Sequence, residues 1–481
     1  MRGIVRFAGY LPYRRLDRAA IPGLLGSGGG RGTRAVASHD EDTTTMGVEA
    51  LRAALGPGLA ERVGSLWFAT ASPAYLDKTN AVALAAASGL PFSIGAYDVG
   101  GSLRSGVGAL LACLAGSGHL SAVVMADMRD GLPAGTDESA GGDAAAAFLV
   151  GEDGPDTPVV AGYLGGASVS EEFLDRWRAP GERRSRTWEE RFGETRYLDL
   201  GHDAWEKALA ATGICAGDVT RVAVTGMHAR AVSGLTRKLG VAPEAIADDL
   251  CSTVGQAGCA HPGLVLASML EGASPGDTVA LVHLADGADV LFFRVTAAIG
   301  EATPPRRLDA SPSAPVPYGK YLAWRGMITT EPPRRPEPAR VSSSAAWRSN
   351  GWKYGFTGSQ DRSSEAVHLP PARVSMRGGA FDDMVEAPRA SVQGTIVTFT
   401  IDRLAYSPSP PIVFAVVDFD GGGRFPLELT DCDEADVAIG GRVEMTFRRL
   451  FTADGIHDYF WKARLLRSGV VDPPRSIGGP R

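Results

Sequence analysis

The sequence predicts an α/β protein of two similar βα halves, followed by a small β-barrel. Residues 1 to about 300 alternate short apolar strands with alanine-rich helices. Residues 302–348 then become rich in Pro, Arg and Ser, as in an extended linker. The remaining sequence carries five short strand patterns separated by Gly, Pro and Asp turns. At 481 residues the chain is long enough for two or three domains.

The composition is that of a globular protein, with 44% hydrophobic residues, 21% charged residues and a net charge of −7. Basic residues are dispersed rather than concentrated in a stripe, which argues against nucleic-acid binding. No apolar run approaches the roughly 20 residues of a membrane-spanning helix, and the strand pattern at Ile4–Phe7 leaves no room for a signal peptide. The five cysteines lack CxxC spacing, so we expect reduced thiols in a cytoplasmic protein without membrane partners.

The first half follows the βα alternation closely. It predicts strands at Ile4–Phe7, Ser65–Thr70, Ala122–Ala126 and Asp143–Val150, and helices at Thr43–Leu55 and Asn80–Ala87. The acidic run Asp40-Glu41-Asp42 precedes the first of these helices. Carboxylates suit a helix N-terminus, so capping is the favoured interpretation of all three.

A charged stretch, 173–197, interrupts the alternation. It is predicted to be a surface excursion or a subunit contact; the alternative is that its arginines contact an anionic ligand, namely Arg178, Arg183, Arg184 and Arg186. The alternation then resumes with helices at 203–211, 230–239 and 261–271 and strands at Val222–Thr225, Thr278–His283 and Val290–Val295. The two halves therefore share a layout, which indicates an internal repeat.

The stretch between Ile94 and Leu114 has a distinctive form. A short strand turns through small residues into a helical pattern that begins near Val107. Free N–H groups and the positive end of the helix dipole converge on such a turn and lower the pKa of a thiol placed there. An enzyme would therefore place a nucleophilic cysteine at this elbow. This chain has Leu103 instead.

The C-terminal part predicts a barrel of the OB type, preceded by an aromatic segment, Tyr318–Trp324, that we expect to pack onto a neighbour. Five strands at this spacing suit the OB fold. The predicted strands are Gly394–Ile401, Val413–Phe419, Phe425–Leu429, Arg442–Phe447 and Phe460–Leu466.

Residues 1–297 resemble the thiolase superfamily, especially hydroxymethylglutaryl-CoA synthases of the archaeal type. The matching stretches are Gly29–Gly32 with Asp40–Thr43, Tyr97–Gly106, Gly142–Ala146, Trp177–Phe192 and Asp286–Asp289. Residues 318–467 resemble the acyl-CoA-associated OB-fold domain that accompanies thiolase-like proteins and normally follows a rubredoxin-like zinc ribbon.

The resemblance implies a five-layer αβαβα thiolase-like fold and a homodimer formed through that domain. It also implies an acyl-CoA thioester as the substrate, with coenzyme A as part of it and no other cofactor. The predicted domains are the thiolase-like domain at 1–300, the linker at 301–350, a degenerate ribbon at 351–386, the OB-fold domain at 387–470 and a flexible tail at 471–481.

The chemistry-bearing positions of the family are mostly changed here. By the resemblance, the nucleophilic cysteine aligns with Leu103 and the catalytic glutamate with Ala71. The asparagine of a Gly-Asn pair aligns with Gln256, whereas the histidine is retained as His228. Covalent Claisen-type transfer needs the thiolate and the acid/base group. Hydroxymethylglutaryl-CoA synthesis by that mechanism is therefore not expected.

The zinc ribbon is altered in the same way. Its four ligand positions hold Asp361, Ser364, Ser375 and Gly378. Structural zinc requires four Cys or His ligands, and the nearby His368 does not complete such a set. We therefore expect no zinc.

Other cysteines offer weak replacements for the nucleophile. Cys113 lies about three helical turns beyond Leu103 and has the sequence setting of a buried hydrophobe. Cys251 and Cys259 flank the predicted active-site loop, either lining the pocket or acting as inert fillers. His261 begins the next helix, where a place near the ligand and a capping role are both open.

Retro-aldol cleavage of a β-hydroxyacyl-CoA needs a base and donors for an enolate, but no nucleophile. His228, Gln256 and the N–H groups around Gly255 and Gly258 are predicted to hold the enolate oxygen. The candidate bases are Tyr97, Asp98 and Tyr75, for which strand-end packing of Tyr97 and helix capping by Asp98 are the alternatives.

The barrel is expected to face the acyl-CoA. A rigid loop at Tyr406–Pro411 and a tight hairpin at Asp418–Phe425 are predicted near the mouth of the site. Arg448 and Arg449 either meet the CoA phosphates or form a solvated strand end. The predicted substrate-binding residues are Leu103, Gly255, Gly258, His261, Arg178 and Tyr406.

Three functions remain open on the sequence. The favoured one is an acyl-CoA carbon–carbon bond enzyme that uses non-covalent aldol or retro-aldol chemistry. The alternatives are an acyltransferase like hydroxymethylglutaryl-CoA synthase with an unidentified nucleophile, and a non-catalytic acyl-CoA-binding scaffold subunit.

Overall fold

The structure is a computed structural model that describes residues 1–56, 58–301, 306–379 and 381–467, so the predicted tail at 471–481 lies outside the described residues. The strands of the first part are β1 (Arg2–Tyr10), β2 (Arg14–Asp17), β3 (Thr33–Val36), β4 (Val63–Thr70), β5 (Gly95–Gly100), β6 (Leu120–Met128), β7 (Asp143–Glu152), β8 (Ala161–Ser170), β9 (Arg176–Trp177), β10 (Arg186–Thr187), β11 (Arg221–Gly226), β12 (Thr278–Leu284), β13 (Gly287–Val295) and β14 (Ala314–Pro315). Its helices are α1 (Ala20–Leu25), α2 (Thr43–Ala54), α3 (Ala81–Ala87), α4 (Ser105–Ala115), α5 (Thr136–Ala140), α6 (Glu190–Thr212), α7 (Ala229–Thr236), α8 (His261–Glu271) and α9 (Tyr318–Trp324).

Nine strands form one mixed sheet in the order β11-β12-β13-β8-β1-β7-β6-β4-β5. The sheet consists of two halves, β1-β7-β6-β4-β5 and β8-β13-β12-β11, which join where Gly3 pairs with Gly162. In each half the first strand in the chain lies at this junction and pairs with the last strand of that half. Helix α8 contacts strands of both halves and also contacts α4, while α2 packs on the first half and α6 on the second. The repeated layout predicted from the sequence is therefore confirmed, with no counterpart of β5 in the second half.

Helix α6 departs from the prediction. It begins at Glu190, whereas the sequence placed its start at 203. Its buried residues recur at helical spacing from the first turns onward, at Gly193, Tyr197, Leu200, Gly201, Ala204, Trp205 and Ala208. The charged residues between them face solvent. Because these charges dominate the composition of the segment, the sequence did not reveal the apolar face of the helix. Helix α7 ends at Thr236, three residues earlier than predicted.

The C-terminal part is a closed barrel, β18-β19-β20-β22-β21, which confirms the predicted barrel. Its core contains Trp461, Phe447 and Val417, all fully buried. The elements of this part are α10 (Ser343–Arg348), α11 (Asn350–Lys353), β15 (Thr357–Asp361), β16 (Val367–His368), β17 (Met384–Pro388), β18 (Gly394–Asp402), β19 (Ile412–Phe419), β20 (Arg424–Thr430), β21 (Arg442–Ala453) and β22 (Ile456–Leu465).

A buried ion cluster joins the barrel to the first part. Arg448 has a fully buried side chain, 2.7 Å from Asp431 and 3.3 Å from Glu41. Lys462 lies 3.1 Å from Asp40 in the same cluster. Both predictions for Arg448, a phosphate contact and a solvated strand end, are therefore wrong. The sequence did not reveal the partners Asp40 and Glu41, which lie about 400 residues earlier in the chain.

Two neighbouring predictions are corrected by the same interface. Arg449 donates a hydrogen bond to the carbonyl of His39 at 2.8 Å and lies against the first part instead of at a solvated strand end. In the acidic run, Asp42 alone caps helix α2, accepting from the amide of Thr45 at 2.9 Å. Asp40 and Glu41 instead pair with the barrel's cations, so helix capping explains one acid of the three.

The aromatic helix α9 packs as expected. Tyr321 is fully buried in a small core with Leu16, Ile21 and Val36. None of the helices in the described ranges is both long and apolar enough to span a bilayer.

Candidate functional site

The elbow has the predicted form. Strand β5 ends at Gly100, Gly101 takes a left-handed conformation with φ of 89°, and helix α4 begins at Ser105. Leu103 lies in this turn and is half-buried. The next residue, Arg104, fixes the turn to β13 and β8: its Nε and Nη2 donate to Asp289 at 2.6 and 2.8 Å, and its Nη1 donates to Ser170 at 2.7 Å.

Ala71, which the resemblance aligns with the family's glutamate, lies beside this elbow. Thr70 of β4 pairs with Gly100 of β5 in parallel register, so Ala71 and Leu103 follow one and three residues beyond the same pair. The carboxyl ends of parallel strands open at one edge of a sheet, where ligands of α/β proteins commonly bind. Here Arg178 donates a hydrogen bond to the Ala71 carbonyl at 2.7 Å.

The loop at 255–260 lies against the first turn of α4. A Cβ on Gly106 would stand 2.5 Å from the Cys259 carbonyl oxygen, so the close approach of loop and helix requires glycine. Within the loop, the Gln256 side-chain oxygen accepts from the Gly258 amide at 2.7 Å. Gln256, Gly258 and Leu103 therefore belong to one region of the fold, and Gly255 holds the left-handed turn that starts this loop.

Buried Asp127, at the end of β6, ties these segments together. Its carboxylate accepts from the Ser72 hydroxyl and from the Cys259 amide, the latter at 3.0 Å. Burial raises the pKa of Asp127. The sequence did not reveal Asp127, because a single acid at the end of an apolar strand looks like a turn residue.

His228 lies at the start of helix α7. Its Nδ1 accepts from the Ala231 amide at 3.2 Å, and its Nε2 is 2.9 Å from the Glu190 carbonyl oxygen. Both ring nitrogens are therefore engaged, with Nδ1 acting as a helix cap. The Tyr197 ring lies 6.0 Å away, centroid to centroid.

A second histidine, His283, was not singled out from the sequence. It is fully buried on β12, where its Nδ1 lies 3.0 Å from the Thr225 hydroxyl. Its Nε2 is buried without a hydrogen-bond partner, and its ring is close to the Leu103 backbone. Burial lowers the pKa of His283 to about 4, so the ring is neutral near pH 7.

The thiols near the site are not activated. Burial raises the pKa of Cys113 to about 11 and that of Cys251 to about 12, and it also raises the pKa of Cys259. Cys251 Sγ lies 3.6 Å from His261 Nε2. Burial lowers the pKa of that histidine to about 4, so it supplies no positive charge to stabilise a thiolate. His261 Nδ1 accepts from the Ala257 amide at 3.3 Å, in the loop before α8, so this histidine does not cap the helix.

The other predicted residues lie apart from this centre. Tyr97 is 51% exposed on the edge strand β5, and its ring lies 5.2 Å from that of Trp67. Asp98 accepts from the amides of Asn80 and Ala81, both at 2.8 Å, and so caps helix α3. Tyr406 donates to Glu337 at 2.9 Å, on the barrel side.

Tyr75, the third candidate base, also points away from the elbow. Its hydroxyl accepts from the His457 amide at 2.7 Å, which ties the loop after β4 to the barrel. The hydroxyl therefore has a structural partner in the interface between the two parts of the chain.

The ribbon does not offer the ligands that zinc prefers. Asp361 accepts from the hydroxyls of Ser363 and Ser364, at 2.9 and 2.6 Å. The hydrogen bond from Ser364 holds the pKa of Asp361 well below its usual range. Gly378 has no side chain to donate, and the described residues contain no group of three or more potential Cys, His, Asp or Glu ligands. The donor set does not fit structural zinc.

Comparisons with known proteins agree with this architecture. The family described as "ChsH2, C-terminal OB-fold domain" matches residues 387–448. The hydroxymethylglutaryl-CoA synthase of Pyrococcus furiosus is 27% identical over 303 residues, 61% of this chain and 85% of the relative. That of Aeropyrum pernix is 27% identical over 312 residues, 61% of this chain and 84% of the relative.

Solved structures share the fold at lower identity. A hydroxymethylglutaryl-CoA synthase complexed with CoA has a TM-score of 0.56 at 16% identity and covers 71% of this chain and 92% of its own. OleA from Xanthomonas campestris has a TM-score of 0.52 at 17% identity, covering 61% and 98%. MvaS in complex with 3-hydroxy-3-methylglutaryl coenzyme A has a TM-score of 0.53 at 20% identity, covering 80% and 99%.

The nine-stranded sheet and its elbow therefore share the thiolase-like fold of hydroxymethylglutaryl-CoA synthase and OleA. The chain combines a hydroxymethylglutaryl-CoA synthase-like domain with a C-terminal OB-fold domain of the ChsH2 type.

Proposed function

We propose that this protein makes or breaks a carbon–carbon bond in a CoA thioester by non-covalent aldol or retro-aldol chemistry. The observation that carries the proposal is the leucine at the elbow, together with neighbouring thiols whose pKa values are raised by burial. Relatives of the same fold have been solved with CoA and with 3-hydroxy-3-methylglutaryl coenzyme A, which supports an acyl-CoA as the ligand.

In the cleavage direction, a base removes the β-hydroxyl proton of a β-hydroxyacyl-CoA and the Cα–Cβ bond breaks. The carbonyl fragment leaves, and the electron pair remains as a thioester enolate that is then protonated to the shortened acyl-CoA. Donors that hold the enolate oxygen lower this barrier. We assign this role to the Gln256 amide and to His228, whose Nε2 would exchange the Glu190 carbonyl for the enolate. We assign no base here, because Tyr97, the candidate from the sequence, is exposed on the edge strand β5.

The test is release of an aldehyde or ketone from a panel of β-hydroxyacyl-CoAs. Turnover should persist in Cys113→Ala, Cys251→Ala and Cys259→Ala, because none of these thiols takes part in the reaction. Loss of turnover in any one cysteine variant that remains folded would contradict a non-covalent mechanism.

A non-catalytic acyl-CoA-binding scaffold is the second candidate. It is favoured by the hydrogen bonding of His228, whose two ring nitrogens both have structural partners. Calorimetric binding of acyl-CoAs without carbonyl release from any substrate in the panel would select the scaffold.

A further inference from the structure

A buried carboxylate that the proposed mechanism does not use lies beside Ala71. Strands β4 and β6 pair in parallel with Ala69 opposite Met125, so Ala71 and Asp127 each lie two residues beyond the same pair. Asp127 is 0% exposed. A Cβ on Gly258 would stand 2.0 Å from the Asp127 Oδ2, so the close approach of the carboxylate requires glycine there. The carboxylate therefore lies at the sheet edge, between Ala71 and the loop that contains Gly258.

Neutral groups hold the Asp127 side chain. Among the described residues, its hydrogen-bond donors are the Ser72 hydroxyl and the Met128 amide at Oδ1 and the Cys259 amide at Oδ2, with the two amides at 3.2 and 3.0 Å. Burial raises the pKa of Asp127, because the charged form is disfavoured away from water. A carboxylate in this setting is a stronger proton acceptor than an exposed one.

The Ser72 hydroxyl connects this carboxylate to the accessible end of β4. Ser72 follows Ala71 and is half-buried, whereas Asp127 is inaccessible. Its Oγ donates to Asp127 and accepts from the Met128 amide at 3.1 Å, while the Met128 carbonyl, an alternative acceptor, lies at 3.2 Å. A hydroxyl oxygen has two lone pairs, so one remains to accept a further hydrogen bond.

The pair of Ser72 and Asp127 belongs to the region of the elbow. Cys259, whose amide binds Asp127, also has the carbonyl that approaches Gly106 in the first turn of α4. The pair therefore lies in the same part of the fold as Gln256, to which we assigned the enolate oxygen.

We propose that Ser72 and Asp127 form a proton-accepting dyad for the β-hydroxyl group of a β-hydroxyacyl-CoA. This inference rests on the proposed function and supplies the base that it lacks. Ser72 Oγ accepts the hydrogen bond of the substrate hydroxyl, and Asp127 acts through Ser72 by holding Oγ in place and taking up the proton. A hydroxyl alone is a weak base, but a carboxylate behind it removes its proton as it receives another.

The proton transfer balances without a further reactant. As the Cα–Cβ bond breaks, the β-hydroxyl becomes a carbonyl, its proton passes to Ser72 Oγ, and the Ser72 proton passes to Asp127. The electron pair of the broken bond remains in the thioester enolate. After the carbonyl fragment has left, Asp127 returns the proton through Ser72 to the enolate carbon, which gives the shortened acyl-CoA and the ionised dyad.

Carbonyl release from the panel of β-hydroxyacyl-CoAs tests the dyad. Ser72→Ala should lower kcat about a hundredfold, the scale of general-base catalysis, and leave the binding of saturated acyl-CoAs unchanged. Thr43→Val is the matched control, since Thr43 Oγ1 donates to the Ser72 carbonyl at 3.0 Å and holds the same segment without touching the dyad. This control should retain wild-type turnover.

The pH profile separates proton transfer from a structural role. Asp127 must be ionised to accept a proton, so kcat/KM should rise with pH through its pKa, which burial raises above the ordinary 3.8. The charged groups that face it are Arg129, after β6, and Arg178, after β9, and both oppose this rise in pKa. Burial also raises the pKa of the adjacent Cys259 thiol, which stays neutral. Asp127→Asn should lower turnover and remove the dependence on pH.

Three results would overturn the dyad. Wild-type turnover in Ser72→Ala, or equal losses in Ser72→Ala and Thr43→Val, would mean that Ser72 transfers no proton. An unchanged pH profile in Asp127→Asn would exclude the carboxylate, and if that variant does not fold, Ser72→Ala still decides. Each of these results leaves the proposed function standing, because the wild type still cleaves its substrate. Absence of carbonyl release by the wild type would instead overturn the proposed function, and the dyad with it.

Discussion

At the residue scale, the central fact is the combination of Leu103 and Ala71. An apolar side chain at the elbow forms no thioester, and a methyl group transfers no proton. The elbow itself is present, and the Arg104–Asp289 ion pair at 2.6 Å holds it. The chain therefore has the thiolase-like fold with leucine and alanine at the positions that the resemblance aligns with a nucleophile and an acid/base group.

His228 allows capping and catalysis to be separated. His228→Asn keeps a good cap for helix α7, whereas His228→Ala removes it and should cost about 1 kcal/mol of the free energy of unfolding. If the ring also donates to the enolate, both variants should lose carbonyl release, although only the alanine variant loses stability. Urea unfolding and the cleavage assay measure the two effects. Full activity in His228→Asn would assign the histidine to capping alone.

At the scale of elements, hydrogen bonds stand where the resemblance would place zinc ligands in the ribbon. Strands β15, β16 and β17 form a three-stranded sheet. Asp361 stands at one of the four zinc-ligand positions, and its carboxylate receives a hydrogen bond at 2.6 Å from Ser364, which stands at a second. At a third position, Ser375 donates to the Arg377 carbonyl at 2.5 Å.

Asp361→Ala should therefore loosen the ribbon. Removing the carboxylate leaves the Ser364 hydroxyl without its acceptor, so amide exchange should accelerate across 357–388 and stay unchanged in the barrel strands. Asp383→Ala is the matched control, since Asp383 forms only an exposed pair with Arg362 at 3.3 Å. Hydrogen exchange read by mass spectrometry makes the comparison. Equal exchange in both variants would mean that Asp361 does not close the ribbon.

At the scale of the whole molecule, the buried ion cluster makes the barrel an integral part of the fold. Glu41 accepts from Tyr10 and the Ser38 amide and lies 3.3 Å from Arg448. Burial nevertheless raises the pKa of Glu41 to about 7. The interface between the two parts of the chain therefore contains a group that titrates near neutral pH.

This pKa predicts a pH dependence with a definite sign. Between pH 4.5, the ordinary value for glutamate, and about 7, the folded chain retains a proton that the unfolded chain has released. The free energy of unfolding should therefore fall as pH rises through this interval. Glu41→Gln should remove that fall, which urea unfolding from about pH 5 to about pH 8 would measure. An unchanged slope in the variant would mean that Glu41 is not its source.

The edge strand β5 supports the proposed homodimer. It ends the nine-stranded sheet, and exposed apolar residues surround it, with Phe92 at 92% and Val82 at 52% exposure. Unpaired edges of this kind invite a second strand. Phe92→Glu should shift the sedimentation equilibrium towards monomer, whereas Leu164→Glu, on β8, should not. A monomeric wild type would contradict this proposal.

The sequence predicted the alternation of strands and helices, the barrel and the leucine at the elbow, because these follow from periodicity and local motif. It missed contacts that depend on which strands become neighbours. Arg448 meets Glu41 only through the docking of the barrel, and His283 meets Thr225 only through the pairing of β11 with β12. Periodicity shows which side chains turn inward but not which polar groups they meet there.

The most direct test of the non-covalent mechanism is the intact mass of the protein after incubation with acetyl-CoA and longer acyl-CoAs. We predict no mass gain in the wild type, because the elbow has no thiol and burial raises the pKa of nearby thiols. Leu103→Cys, which places a thiol at the helix N-terminus, is the control for detecting an adduct. Gain of one acyl group by the wild-type chain would contradict a non-covalent mechanism. It would support the alternative of an acyltransferase with an unidentified nucleophile.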